Sequence, residues 1–467
     1  MNNQRVGYLP DERPAFGKLL LYAIQQVIVM FPATVTVALI TGFHVSTTIF
    51  ASGLATICFI LITGRKIPLY YGSSFSYISA ISGLMAVQGI EKVVIGGDVA
   101  VLPMHGIQMA QFGIIASGLI SILAGILVRV SGPKAVEKIL PPTITGSVAM
   151  IIGLTLAGSA MGDATAVTAS FTGSTGWGLA VAMVTLLSTV LFSRYLKGFL
   201  GQLPLLLGAA VGCGFAGLIL LIGGPDHNLF RLISSEAITS FSSWQLGNGS
   251  IFALPAFSLP KISWVAVAAI MPVAIATIPE STAHIYQIDL YVNDVAKKKG
   301  KGRYDIVSLL DRNLIGDGLC DMVTGFIGGP AGTNYGENIS TMAITRVFSI
   351  SVLVVASVFA MIVSCFTPLI QVIYGIPQAV IGGLEIYLFG AIAAQGIGIM
   401  IEKKVDMFSP KNIAVIATTI TIGLGMYFGL SGSINLFGWE CPAIAGAAIF
   451  GILLNQLLSL GDKKAAE

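Results

Sequence analysis

The sequence predicts an all-α polytopic membrane protein of fourteen transmembrane spans, built as two inverted repeats of seven. Three observations predict this. Of 467 residues, 55% are apolar and only 10% charged, with a mean hydropathy of +0.87, which lies far from the values of a soluble domain. Apolar runs near the ~20 residues that a spanning helix needs recur along the whole chain. Lysines and arginines collect in every second connection between those runs, as the positive-inside rule requires.

In chain order, residues 1–13 are polar and carry Arg5 and Arg13. They lack the apolar stretch and small-residue cleavage site of a signal peptide and read as a cytosolic tail. Spans follow at about 17–42, 46–64, 72–88, 106–130, 137–160, 176–195 and 199–223. A polar, Pro-containing loop from Gly224 to Lys261 precedes seven more, at about 263–287, 309–329, 333–346, 347–373, 378–400, 410–431 and 441–460. With this topology 22 of the 25 Lys and Arg residues fall on one side, all but Lys92, Arg231 and Lys261. That side is expected to be cytosolic, with both termini on it, in a multi-pass protein of the cell membrane.

Composition also limits function. The net charge of +3 is small and its positive residues are scattered through loops, which argues against nucleic acid as a partner. Cys58, Cys213, Cys320, Cys365 and Cys441 have no CxxC spacing and read as free thiols in apolar surroundings. Neither HExxH nor a His/Cys cluster is present, so no metal or other cofactor is expected, and no nucleophile–base set points to an enzyme.

The two halves resemble each other locally. Phe31-Pro32-Ala33-Thr34 matches Ile278-Pro279-Glu280-Ser281, Tyr71-Gly72-Ser73-Ser74 matches Tyr335-Gly336-Glu337-Asn338, and Pro141 with Gly146 matches Pro377 with Gly382. Seven is odd, so the second repeat enters the membrane from the opposite side. Such inversion is a signature of alternating-access transporters.

Spans 3 and 10 are short and interrupted by Gly, Ser, Asn and Thr, and are expected to contain short extended strands. Where they meet at mid-membrane, their backbone groups need partners from each other, from water or from a ligand. A small planar ligand with edge donors and acceptors suits such a place. Ionisable groups inside spans mark function by default. Glu337 stands in the interrupted span 10 with no basic neighbour. Glu280 and His284 share a helical face four residues apart, either as a structural pair or in substrate and proton work. Asp317 and Asp321 either cap backbone or relay protons. Glu385 is a further lone acid, and His44, His105 and His227 fall in loops expected to be solvated.

The run Glu337-Asn338-Ile339-Ser340-Thr341-Met342-Ala343-Ile344-Thr345-Arg346, with Tyr335-Gly336 before it, resembles the signature of the nucleobase-ascorbate transporter family and of its bacterial uracil permeases in particular. Gly72-Ser73-Ser74-Phe75 and the Glu280/His284 pair add to the likeness, which covers nearly the whole chain. The resemblance implies a proton-coupled nucleobase symporter, with uracil as the expected base. Its core domain would comprise residues 1–130 and 263–373, and its gate domain 131–223 and 374–467 with the cytosolic tail, joined by an external loop at 224–262. Glu280 and Glu337 would accept the ring N–H groups, Phe75 and Gly336 would give main-chain contacts, and Phe389 would line the gate side. Glu280, His284 and Asp317 would carry the proton. The family also suggests a homodimer. Ring N–H groups do suit carboxylates, and ring carbonyls suit backbone amides.

The chain departs from the family pattern at Ser340, where the signature has Gly, at Gln26, where many members have His, and at Phe389, where uracil permeases have Tyr. Asp317 resembles the purine branch and His284 the uracil branch, so a xanthine or purine permease is the nearest alternative. An anion transporter or channel on the same scaffold would want a cation in the site, and two acids disfavour it.

Overall fold

The structure, a computed structural model, describes residues 7–95, 99–132, 140–231, 251–436 and 439–464. Helices α1 (Phe16–Thr41) and α2 (Val45–Ile62) are joined at Gly42, whose φ of 82° lets the chain reverse. The next segment turns extended as β1 (Tyr71–Ser73), then passes through one 3-10 turn at Phe75–Tyr77 into α3 (Ile78–Val87). A hairpin of β2 (Val93–Ile95) and β3 (Val99–Val101) leads to α4 (Met104–Ser131). Then come α5 (Pro142–Thr155), α6 (Ala157–Ala164), α7 (Gly176–Tyr195) and α8 (Pro204–Gly223).

The second half opens with α9 (Trp264–Ile270), α10 (Ala274–Lys298) and α11 (Leu310–Ile327). Strand β4 (Gly332–Asn334) runs directly into α12 (Gly336–Thr345). It is followed by α13 (Ile350–Ser364), α14 (Thr367–Tyr374), α15 (Gln378–Glu402) and α16 (Pro410–Gly429). A second hairpin, β5 (Ser433–Leu436) with β6 (Trp439–Pro442), precedes α17 (Ala443–Lys464). Neither hairpin is expected from the sequence pattern. Among the described residues ten helical stretches are long and apolar enough to cross a membrane. The stretch 75–87 and α13 are apolar but shorter.

The expected interruptions of spans 3 and 10 are real, and they meet. β1 and β4 pair antiparallel, Tyr71 opposite Asn334 and Ser73 opposite Gly332. Two more backbone bonds extend the pairing, from Ser74 to the Ala331 carbonyl at 3.0 Å and from Tyr335 to the Tyr70 carbonyl at 2.9 Å. Each strand therefore satisfies groups that the other would leave bare in a medium without water. Glycine is required on both. A Cβ on Gly72 would lie 2.3 Å from the Tyr335 ring, and one on Gly332 would lie 2.3 Å from the Tyr71 ring. The Tyr71 hydroxyl donates to Asp321 at 2.5 Å, and that of Tyr335 reaches the Ser73 carbonyl at 3.0 Å and Thr34 at 2.9 Å.

Around this crossing, α4 packs along α11, and α2 and α1 along α13. A second set of helices packs mostly within itself, with α5, α6 and α7 against α15, α7 against α8, and α16 against α5 and α17. Glycines set the closest approaches. At Gly118 and Gly318 a Cβ on either residue would fall 2.3 or 2.2 Å from the other's carbonyl oxygen, and Gly146 and Gly396 meet likewise at 2.6 and 2.4 Å. Lipid gives helices no hydrophobic drive to associate, so such backbone contact supplies the cohesion. Exposed Leu119, Leu123, Leu187, Leu191, Leu221 and Ile222 then face lipid at no cost.

The cysteines are free, as expected. His44 differs from expectation. It is only 4% exposed, because the α1–α2 turn tucks it into the protein, and burial pushes its imidazole down to about 4.

On the lysine-rich face, residues 7–12 form a strap. Tyr8 bonds to the Arg346 carbonyl at 2.8 Å, and its own carbonyl accepts from Phe348 at 2.8 Å. Glu12 accepts from Leu9 N–H at 2.9 Å and pairs with Lys299 and with Lys301, the latter at 2.9 Å. The chain start is thereby tied to the loop after α10 and to the junction of α12 and α13. Partial burial raises the Glu12 carboxyl, but Lys299, the Leu9 N–H and Lys301 outweigh it and bring the group down to about 2 from 4.5. A depressed carboxylate contributes stability that is present above 4.5 and lost as pH falls toward 2. Glu12→Gln is therefore expected to lower the melting temperature at neutral pH, each exposed pair being worth about 1 kcal/mol or less. In a series from pH 7 to pH 3 its gap from wild type should narrow below pH 4.5, and a gap that stays constant with pH would contradict the assignment.

Candidate substrate site

Glu280 and His284 lie on the middle of α10, four residues apart and on one face. Pro279 precedes them and cannot donate its helical hydrogen bond. Glu337 lies in the first turn of α12, immediately after β4, where the helix dipole and free N–H groups favour an acid. Phe75 opens the 3-10 turn that follows β1, and its neighbour Ser74 accepts from Ser76 N–H at 3.3 Å. The antiparallel strands thus end on opposite sides of their short ladder, and each leads into a helix whose first N–H groups have no intrahelical partner.

These elements enclose a cavity of about 300 Å³ lined by Ser73, Phe75, Glu280, His284, Thr333, Asn334, Gly336 and Glu337, with Ala149, Leu388, Ala391, Ile392, Gln395 and Ile399 opposite. The two acids are close enough for their charges to act on each other. Neither belongs to an ion pair among the described residues, so Glu280 and His284 do not form the structural pair that their spacing also allowed. Thr333 Oγ1, Asn334 Oδ1 and His284 Nδ1 are buried without hydrogen-bond partners among the described residues. Unmet buried polar atoms of this kind are rare in folded proteins, and three line one cavity.

A second space of about 580 Å³ shares Glu280, His284, Gln395 and Ile399 with the first. It continues past Tyr286, Gln287 and Leu290 to Glu402 and Lys403, at the end of α15. The site is accordingly reached from the lysine-rich face, through a vestibule between α10 and α15.

Behind the cavity a hydrogen-bond network holds its walls. Asp317 accepts from Ser281 and, at 3.0 Å, from Asn334, while Asn313 donates to Ser281 at 2.6 Å. Ser281 adjoins Glu280 and Asn334 lines the cavity, so Asp317 ties α11 to both walls but does not face the space itself. Asn338 donates to the Gln26 carboxamide at 2.7 Å and to its carbonyl at 3.0 Å, which fixes α12 on α1 beside Glu337.

Of the residues expected from sequence, the structure brings together Glu280, His284, Glu337, Phe75 and Gly336. Phe389 is a correction. It is 2% exposed and does not line the cavity, because one residue along a helix turns a side chain about 100° away from Leu388. Its carbonyl instead meets the place of a Cβ on Gly153 at 2.5 Å, against α5. The residue missed was Gln395, two turns beyond Leu388 on the same face and a polar side chain set in an apolar helix wall.

Residues 17–432 match the sequence pattern of a family described as the permease family. The chain belongs to that family. A uracil permease of Bacillus caldolyticus is 33% identical over 98% of this chain and 95% of its own, and that of Bacillus subtilis (strain 168) is 31% identical over 100% and 98%. A putative pyrimidine permease of Escherichia coli (strain K12) is 33% identical over 96% and 91%. Among solved structures, the murine Slc26a9 anion transporter in its inward-facing state shares the fold with a TM-score of 0.64 at 12% identity, over 97% of this chain and 69% of that one. A cyanobacterial bicarbonate transporter aligns with a TM-score of 0.57 at 13% identity, over 97% and 100%. The permease is thus a transporter and not an enzyme.

Tyr335→Phe removes the hydroxyl that serves Ser73 and Thr34 and leaves the Ser73 carbonyl short of a donor. It is expected to destabilise the purified permease by about 1–3 kcal/mol, read as a lower melting temperature in detergent. An unchanged value would show that the hydroxyl does not hold the crossing.

Proposed function

We propose that the permease is a proton-coupled symporter that imports a nucleobase, uracil, by alternating access. The observation that carries this reading is the cavity itself, in which two carboxylates without cationic partners among the described residues share the lining with three unmet side-chain polar atoms. Glu280 and Glu337 accept the two ring N–H groups, and N–H groups at Phe75 and Gly336 donate to ring carbonyls. The relatives named as uracil and pyrimidine permeases support the substrate class. The two transporters of anions that share the fold provide the contrast, because a site with two acids repels an anion.

Fourteen spans in two inverted repeats account for the packing. The α4–α11 contact mirrors α2–α13, α7–α15 mirrors α5–α16, and α7–α8 mirrors α16–α17. Residues 1–130 and 263–373 act as a core and 131–223 with 374–467 as a gate. The lysine-rich face and both termini are cytosolic, in the cell membrane, so the vestibule marks an inward-open state. Glu280, supported by His284, takes a proton from outside and the base docks on it and Glu337. Neutralising an acid removes much of the cost of moving it through a dry constriction. One net proton gains about 2.3 kcal/mol per 100 mV of membrane potential. Asp317 orients the Ser281 turn beside Glu280. A purine such as xanthine is the second reading, favoured by Asp317 alone.

Two outcomes test this. In proteoliposomes with an imposed pH gradient, Glu280→Gln is expected to reduce uptake of labelled uracil about 10–100-fold, the worth of one charged hydrogen bond. Uptake that survives both this change and a protonophore would refute the mechanism, and stronger competition by xanthine than by unlabelled uracil would reassign the substrate. Gln395→Leu is expected to raise KM about fivefold, the loss of roughly 1 kcal/mol, with the maximal rate retained. An unchanged KM would mean that the gate wall recognises the base by shape alone.

A further inference from the structure

A second pair of acids lies outside the substrate cavity. Glu385, on α15, is completely buried, and neither carboxylate oxygen has a donor partner among the described residues. Its hydrogen-bonding neighbour is another carboxyl, that of Asp163 on α6. The contact is built into the backbone. A Cβ on Gly382 would lie 2.2 Å from the Ala164 nitrogen and 2.5 Å from the Asp163 carbonyl carbon, so only glycine lets the end of α6 press onto α15 one turn before Glu385.

The surroundings offer these acids little else. Lys92, in the connection between α3 and β2, is close enough for its charge to act on Asp163 and on Glu385, but its ammonium donates to the Ile40 carbonyl at 2.6 Å and not to either acid. Arg231 is close enough to act on Lys92 and bonds to the Ile376 carbonyl and Gln378 at the start of α15. Of the other helices against α15, α5 carries no titratable side chain, α8 only Cys213, and α7 only Arg194 and Tyr195 at its last turn.

Glu385 is fully buried and Asp163 half-buried beside it, so two charges there would repel each other with little water to screen them. A single proton between them satisfies both, since the protonated acid donates and the ionised one accepts. Position gives the pair its meaning. Glu385 is three residues before Leu388, which lines the substrate cavity, on the side away from the vestibule. The pair thus sits in the closed end of the permease, where α15 meets a connection from the other helix set through Lys92.

We propose that Asp163 and Glu385 form a second protonation site, which holds one shared proton while this end is closed and gives it up when the end opens. The role in transport rests on the alternating-access reading above, but the existence of the proton does not. Proton release separates two like charges only if α6 and α15 part or water enters, so it couples to opening of the side away from the vestibule.

The test begins without substrate. Melting temperature of the purified, ligand-free permease is followed from pH 5 to pH 9 for wild type, Glu385→Gln and Asp163→Asn. Wild type is expected to lose stability as pH rises, because removing the shared proton leaves two adjacent charges. Glu385→Gln keeps a donor toward Asp163, and should flatten that slope and exceed wild type at pH 9. A wild-type slope retained in both variants would overturn the proposal, as would variants less stable than wild type at every pH. In the second arm, the pH profile of uracil uptake should shift in Glu385→Gln while the order of competing bases stays fixed. A flattened melting slope with an unshifted uptake profile would keep the proton site and refute its part in gating. Loss of the wild-type slope in Glu280→Gln instead would place the proton in the substrate cavity and overturn the proposal.

Discussion

The structure depends on one constraint, that a backbone which stops being helical within a membrane must find its hydrogen bonds locally. The permease meets it by letting two interrupted segments meet, so that β1 and β4 complete each other over three residues each. Gly72 and Gly332, each under a tyrosine ring from the opposite strand, make the approach possible, and the tyrosine hydroxyls return bonds to Asp321 and to Ser73. The crossing is paid for by this symmetry. It yields two helix starts pointing at one cavity, which is why the acids and free N–H groups are where they are.

Around that centre the packing has two styles. Where helices must stay fixed, glycine brings backbones into contact, as at Gly118 with Gly318. Across the cavity from the acids, the facing wall is smooth and apolar, Leu388, Ala391, Ile392 and Ile399 interrupted only by Gln395. An acid-lined half against a greasy half suits relative motion, because sliding past aliphatic side chains breaks few polar bonds. The polar network of Asp317, Ser281, Asn313 and Asn334 lies wholly on the acidic side and keeps it rigid.

Much of this was legible in the residues. Span length and charge alternation are bulk properties of solvent partition, so they read directly from composition along the chain. The two interruptions read from Gly, Ser, Asn and Thr, which disfavour helix for local reasons, and Glu280, His284 and Glu337 read from the cost of charge in lipid. The direction of side chains on α15 did not. That helix is apolar nearly all round, so nothing in its pattern distinguishes the face of Leu388 and Gln395 from the face of Phe389. Asp163 was hidden because it falls just beyond an apolar run, where an acid looks interfacial, and only the continuation of helix to Ala164 brings it, half-buried, against Glu385. Strands as short as β2 and β3 leave too little pattern to compete with their neighbours.

The pairing of β1 with β4 also has a history. Tyr71 and Asn334 are opposite each other in the finished protein but about 260 residues apart along the chain. At ribosomal rates of about 5–20 residues per second, the first strand is made roughly 10–50 s before its partner. Throughout that interval the first half carries an unzipped polar seam that lipid cannot solvate. Biogenesis must therefore shelter the nascent protein, in the insertion machinery or at the bilayer surface, until the segment carrying β4 arrives and the seam closes.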